Sequence, residues 1–281
     1  LRKGLNAMIQ ECEDEIQKIC FFHTDSYEKT ITLKSMKVSL EALVRFALRF
    51  SDLAKEMAAN ETDAVRKKEL LEISEICRRV PARAPENFWE ALQMYWFVHL
   101  GTITELNGWD AMNPGHLDQH LYPFYREGLA NGGLTREKAK ELLSCFWIKV
   151  NNHPAPPKVG VTAQESGTYN DFTNINLGGL LADGRNGVNE VSYIILEVID
   201  ELHLLQPQSN VQISHKTPDR FLKEACRVIR KGYGYPSVFN ADAVVMEQVR
   251  TGKRIEDSRE GGCSGCIEPG AFGKEAYILT G

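Results

Sequence analysis

Apolar residues recur at helical spacing through the first ninety positions. Leu5, Met8, Ile9, Cys12 and Ile16 form one stripe, and Leu40, Leu43, Val44, Ala47 and Leu48 form another. The pattern predicts a helical shell over about residues 1–100. Asn60-Glu61-Thr62-Asp63 interrupts the second helix and offers capping side chains to a third, which should run toward Cys77 and stop before Pro81 and Pro85. From Asn87 to Leu100 the chain is apolar nearly all round (Phe88, Trp89, Leu92, Tyr95, Trp96, Phe97), as in a helix enclosed by a larger body.

Beyond residue 100 the period shortens. Thr102 to Asp110 is β-prone and ends in polar residues, which predicts a strand that delivers side chains to a pocket. A helix is expected around Glu137–Val150, followed by the rigid connection Asn151–Pro157, a strand at Lys158–Thr162 and a polar loop from Gln164 to Asn176. Then come a helix at about Asn189–Leu205, a strand at Asn210–Ser214, a helix at Asp219–Lys231 ended by Gly232, and a strand at Ser237–Asn240. Strands alternating with helices of this length argue for a parallel α/β arrangement. No repeat, low-complexity tract or interdomain linker interrupts it.

Composition narrows the function without naming it. The 281 residues are 43% hydrophobic and 25% charged, with a net charge of −5 that offers nucleic acid or anionic membrane no electrostatic attraction. Seven cysteines, an odd number without a short-range framework, suggest a reducing compartment, and cytoplasm is the expectation. No apolar run is long enough to cross a bilayer. The chain starts at Leu1 and stops at Gly281 just past an apolar run, so both ends read as cut. Cys12, Cys20, Cys77, Cys145 and Cys226 fall singly on helical stretches and are expected to be buried structural thiols. His116, His120, His153 and His215 lack metal-ligand spacing, and no metal site is expected. Gly178-Gly179 and Gly184 fit neither a Walker loop nor a dinucleotide fingerprint.

The chemistry concentrates near the end, in Gly262-Cys263-Ser264-Gly265-Cys266-Ile267-Glu268-Pro269-Gly270. If that backbone is extended, residues i and i+2 share a face, so Cys266 and Glu268 should enter one small cavity. A carboxylate beside a thiol raises the thiol pKa, which favours a neutral thiol used in hydrogen-atom transfer over a thiolate nucleophile. Cys263 and Cys266 also form a Cys-x-x-Cys, and a thiol-redox protein is the alternative of another class.

Gly265 to Pro269 resembles the cysteine loop of glycyl radical enzymes, the superfamily of pyruvate formate-lyase and the radical dehydratases. Glu90–Phe97, Gly115–Pro123 and Gly270–Tyr277 resemble further stretches of the same family, in the family's order. Within it the similarity is to the hydroxyproline-dehydrating branch, and it runs through nearly all of the chain. The resemblance implies an α/β fold: a helix-wrapped, ten-stranded barrel of two five-stranded half-barrels, of which this chain would be a partial, central segment. The helical shell would occupy about 1–100, and a half-barrel with the cysteine loop about 101–281.

The resemblance further implies a glycyl radical, held on a C-terminal loop outside this segment and installed by a radical-SAM activating enzyme, with a homodimer left open. Cys266 would carry the thiyl radical and Glu268 would act as base in dehydrating a small hydroxylated amino acid, trans-4-hydroxy-L-proline, to pyrroline-5-carboxylate. Asp110, in Trp109-Asp110-Ala111, and Ser166, Asp171 and Phe172, in Ser166–Phe172, would bind the substrate. Two aspartates suit a ring nitrogen, a hydroxyl suits a carboxylate, and a phenyl suits the ring. No other cofactor is implied, and the segment alone should be inactive. Arylacetate decarboxylases share the Gly-Ala-Phe-Gly-Lys-Glu-Ala-Tyr continuation, and arylacetate decarboxylation or another radical dehydration is the alternative within the family. Two features depart from the hydroxyproline branch: Pro269 after the glutamate, and Cys263.

Overall fold

The computed structural model describes residues 1–105, 113–152, 173–265 and 267–274. The chain forms two compact units, Leu1–Gly101 and Thr102–Gly281.

The first unit is helical. α1 (Leu5–Gln17), the long α2 (Ser26–Asn60) and α3 (Ala64–Arg79) follow the predicted stripes, and α2 packs on both α1 and α3. Asp63 caps α3 by accepting from Arg66 N at 2.7 Å, as its place before the third stripe requires. Between α2 and α3, Ser51 Oγ donates to Ser74 O at 2.7 Å and Ser74 Oγ to Ser51 O at 2.8 Å. Both hydroxyls are buried and satisfied by this exchange, so they tie two helices together without an apolar contact.

α4 (Phe88–Glu105) supplies Phe97 to a cluster with Ala47 and Cys77, and Met94 to a cluster with Ile76 and Val80. Buried Glu90, the start of one family-like stretch, accepts from Glu86 N at 2.7 Å and from Arg79 Nε at 3.1 Å, so its charge is paired where it is buried. The helix also corrects an expectation. Thr102–Glu105 continues α4 and does not begin a strand. Helix extension adds one hydrogen bond per residue to an existing helix, and this outweighs the weak β preference of Thr102, Ile103 and Thr104. The remainder of that expected strand, and the one at Lys158–Thr162, lie outside the described residues.

The second unit alternates strand and helix as expected from Asn189 onward. After α5 (Leu117–Ala130) and α6 (Arg136–Asn151) come β1 (Asn174–Gly178), α7 (Glu190–Leu202), β2 (Gln208–Ile213), α8 (Asp219–Ile229), β3 (Ser237–Asn240), α9 (Ala241–Arg250) and α10 (Ile255–Arg259). β1, β2 and β3 lie side by side and parallel, with Asn176 opposite Asn210 and Val211 opposite Val238. His116 makes a parallel bridge to Asn176, which places the start of α5 along the edge of β1 opposite β2. α7 crosses from β1 to β2. Its Asn189 cap and Ser192 form a reciprocal capping box, and it buries Val191, Ile194, Ile195, Leu196, Val198 and Ile199. It ends at Leu202, short of the expected Leu205, because His203 takes a left-handed conformation with φ 49°.

Two further expectations change. Asn174–Asn176 belongs to β1 rather than to a polar loop. Of the five scattered cysteines only Cys12 and Cys77 are buried; Cys20, Cys145 and Cys226 are exposed, since each sits off the apolar stripe of its segment. The described part of the fold is a helix-rich α/β assembly with a three-stranded parallel sheet, and a full ten-stranded barrel lies beyond what these residues contain.

Candidate active site

β1 reads Asn-Ile-Asn-Leu-Gly, and alternation sends its residues to opposite faces. Ile175 and Leu177, with Val211 of β2, occupy one face and are fully buried. Asn174 and Asn176, with Asn210 and Gln212 of β2, occupy the other and are equally buried. Buried amides must be hydrogen-bonded, and here they bond one another. Gln212 Nε2 donates to Asn176 Oδ1 at 2.8 Å and to Asn210 Oδ1 at 2.9 Å; Asn210 Nδ2 donates to Asn174 Oδ1 at 3.0 Å.

The remaining capacity of this amide row goes to the segment that carries the sequence's chemistry. Asn176 Nδ2 donates to Cys263 O at 2.9 Å while its Oδ1 accepts from Cys263 N at 3.0 Å, so one side chain satisfies both backbone groups of Cys263. Asn113 Nδ2 also donates to Cys263 O, at 2.7 Å, and Asn113 Oδ1 accepts from Asn176 Nδ2 at 3.1 Å. Asn174 Nδ2 donates to Gly265 O at 2.8 Å. His116 Nε2 donates to Gly261 O at 2.8 Å; its burial holds its pKa below the ordinary histidine value, against the pull of that carbonyl.

The segment itself is a hairpin. β4 (Gly262–Ser264) and β5 (Glu268–Gly270) pair antiparallel, with Ser264 opposite Glu268 and Cys263 opposite Pro269. Gly265 begins the connection at φ 50°, the left-handed region that a short hairpin loop needs and glycine supplies without strain. The expectation of a continuously extended backbone is therefore corrected for Gly262–Gly265 and Glu268–Gly270, which fold back on each other, while the pairing of Cys266 with Glu268 rests on a residue outside the described ones. Gly262 is required for a different reason. A Cβ there would lie 2.4 Å from Asn176 Oδ1 and 2.9 Å from Phe272, so any side chain would lift the hairpin off the amide row.

Glu268 is half-buried at the start of β5, and its carboxylate accepts from Ile267 N at 3.0 Å. Cys263 is a free, buried thiol whose pKa is pushed up to about 11, first by burial and then by the charge of Glu268. A redox dithiol works through a lowered thiol pKa, so Cys263 is poorly suited to that chemistry. Cys266, Asp110, Ser166, Asp171 and Phe172 lie outside the described residues.

The stretch Gly115–Pro123 anchors the same sheet at its far end. Asp118 is fully buried; its Oδ2 accepts from Gly178 N at 2.8 Å and from Ser192 Oγ at 2.5 Å, joining α5, β1 and α7. Burial raises its pKa to about 7 in spite of these donors. Gln119 Nε2 donates to Gly178 O at 2.6 Å. Among the described residues no group of three or more His, Cys, Asp or Glu could hold a metal ion, and no helix is long and apolar enough to cross a membrane.

The amide row escaped the sequence reading. Asparagine is depleted in strands, so Asn174–Asn176 looks like loop. The available signal was the repetition of amides at alternate positions, Asn174/Asn176 and Asn210/Gln212, with aliphatic residues between.

Known proteins resemble this chain along its whole length. The model of the pyruvate formate lyase-like family matches residues 1–281. The trans-4-hydroxy-L-proline dehydratase of Clostridioides difficile is 54% identical over 281 residues, all of this chain and 36% of that protein. A crystal structure of hydroxyproline dehydratase from the same organism, with trans-4-hydroxy-L-proline bound, superposes with a TM-score of 0.95 at 53% identity, over 99% of this chain and 35% of that one. A structure concerned with 1,2-propanediol dehydration in Roseburia inulinivorans has a TM-score of 0.91 at 32% identity, covering 96% of this chain and 34% of that one. The indoleacetate decarboxylase of Tractidigestivibacter scatoligenes is 31% identical over 278 residues, 96% of this chain and 31% of that protein. This chain spans about a third of the length of the relatives it matches. It belongs to the pyruvate formate lyase-like family of glycyl radical enzymes.

Proposed function

We propose that the full-length protein is a glycyl radical dehydratase that converts trans-4-hydroxy-L-proline to pyrroline-5-carboxylate and water. The observation that carries this reading is the identity of 54% over the whole chain, cysteine hairpin included, to a dehydratase of that substrate, against 31% to an arylacetate decarboxylase. The chemistry of the hairpin supports it: a glutamate next to the turn, a neighbouring thiol held neutral, and a backbone fixed from below by buried amides.

The glycyl radical, on a segment beyond these 281 residues and installed by a radical-SAM activating enzyme, supplies the initial hydrogen-atom acceptor. Cys266, as a thiyl, takes a hydrogen atom from the ring carbon next to nitrogen and becomes a thiol. Glu268 takes a proton from beside the radical carbon and hands it to the hydroxyl on the adjacent carbon, which leaves as water and returns Glu268 to its carboxylate form. The thiol then returns its hydrogen to the product radical, so Cys266 is regenerated. Asp110 and Asp171 hold the protonated ring nitrogen, Ser166 donates to the carboxylate, and Phe172 packs on the ring. Enclosure in a barrel of the family's kind would exclude solvent from the radical. We place the enzyme in the cytoplasm, where reduced cysteines persist, and a homodimer is compatible with this role.

The test is an anaerobic assay of the activated full-length protein, with radical formation checked by EPR. Pyrroline-5-carboxylate should form from trans-4-hydroxyproline and vanish in Cys266→Ala. A radical signal with no product from hydroxyproline, but carbon dioxide from an arylacetate, would replace dehydration with decarboxylation. Loss of activity in Cys263→Ser with retention in Glu268→Gln would instead support thiol-redox chemistry.

A further inference from the structure

The hairpin's outer strand is held in an unusual way. Gly261, Cys263 and Gly265, alternate residues along one edge, have their carbonyls bound in turn by His116, Asn176 and Asn174. A β-edge normally pairs with the backbone of another strand; here three side chains from the sheet's polar face and its flanking bridge take that role. Two of the three contacts serve the residues before the turn, but the contact of Asn174 is the one next to Cys266. A peptide group is planar, so fixing Gly265 O fixes the plane that contains the nitrogen and Cα of Cys266. Gly265 is also the residue least able to hold that plane itself, because glycine at φ 50° has no side chain to restrict its rotation.

We propose that Asn174 is a positioning residue for Cys266: its Nδ2–H bond to Gly265 O fixes the peptide group from which the cysteine departs. Asn174 is oriented for this by Asn210, which donates to its Oδ1, and Asn210 is itself bonded to Gln212. Every link is buried, so no water competes for the carbonyl. The inference rests on the dehydratase reading only in that Cys266 is the reacting group.

Asn174→Asp tests the bond with little change in size. It keeps the oxygen that accepts from Asn210 and replaces the donor to Gly265 O with an acceptor. Asn174→Ala removes the side chain. In the full-length, activated enzyme both variants should lower kcat by about 10- to 100-fold, the scale of a misplacement near 1 Å, with KM within about twofold and the EPR radical yield unchanged. A purely structural role would lower radical yield and thermal midpoint together with kcat. Asn174→Asp at wild-type kcat, or a kcat loss that merely tracks radical yield in both variants, would overturn the proposal. If Asn174→Ala does not fold, Asn174→Asp decides alone. Failure of the wild type to turn over hydroxyproline would sink the substrate instead, and the same kcat comparison would then be read on whichever substrate the wild type accepts.

Discussion

The two faces of the parallel sheet are buried to the same degree and built from opposite chemistry. Ile175, Leu177 and Val211 on one face and Asn176, Asn210 and Gln212 on the other are all within 1% of complete burial. Burial alone therefore does not distinguish core from site in this protein. On the apolar face contacts are non-directional and any aliphatic of the right volume can serve. The amide face is directional: Asn176 makes four hydrogen bonds, using both donors and both acceptor positions of its amide, and no other residue of that size could make them. One face supplies stability and the other supplies position.

Truncation should separate these roles most sharply. Leu177→Ala removes fully buried aliphatic volume and should destabilise the full-length protein by about 2–5 kcal/mol in chemical denaturation, with kcat of the folded, activated enzyme little changed. Asn176→Leu keeps the volume but leaves Cys263 N–H without its acceptor, a loss of about 1–3 kcal/mol. Its effect on kcat should exceed that of Leu177→Ala. If Leu177→Ala lowers kcat more than Asn176→Leu does, the division of labour between the faces is wrong.

The apolar side of that division was legible in the sequence. α7, β2, α8 and β3 appear where the changes of period put them, because Val, Ile and Leu at fixed spacing report burial directly. The family-like stretches also pointed to the hairpin. Three things were hidden. Thr102–Glu105 has the local preference of a strand, but the helix before it extends through it. Asn174 and Asn176 carry loop-like propensity that is overridden by partners 36 to 91 residues away in sequence. Gly265, read as part of an extended run, has the φ that folds the chain back and lets β5 pair with β4. In each case tertiary pairing outweighed a local preference that a single sequence displays plainly.

A titratable group at the sheet's far end sharpens the contrast with the neutral amides. Asp118 has an ordinary pKa of 3.8 that burial raises to about 7. The folded state thus binds a proton that the unfolded state has lost between these values. The stability it contributes is complete below about pH 4 and disappears as pH rises through about 7. Asp118→Asn removes this dependence, so the variant's thermal midpoint should gain on the wild type between pH 5 and pH 8. A constant difference across that range would mean that Asp118 is not held in a buried, charge-averse setting. Asn176→Leu, by contrast, should show an offset from wild type that is flat with pH.

The smallest effect is expected where polar groups meet outside the sheet. Arg136 of α6 pairs with Glu197 of α7, and Lys140 lies 3.5 Å from the same carboxylate. The Arg136 side chain is 39% exposed and that of Glu197 31%, so water competes with the pair and salt screens it. Arg136→Ala should cost no more than about 1 kcal/mol, and less as ionic strength rises, because Lys140 remains to answer the charge. The same geometric criterion, an N–H within hydrogen-bond distance of an oxygen, describes this ion pair and the Asn174 contact with Gly265. Their predicted consequences differ because one pair can exchange its partner for water and the other cannot. A salt-insensitive loss well above 1 kcal/mol at Arg136 would show that exposure, too, fails to separate surface from site, and that the amide row owes its importance to where it lies rather than to how it is buried.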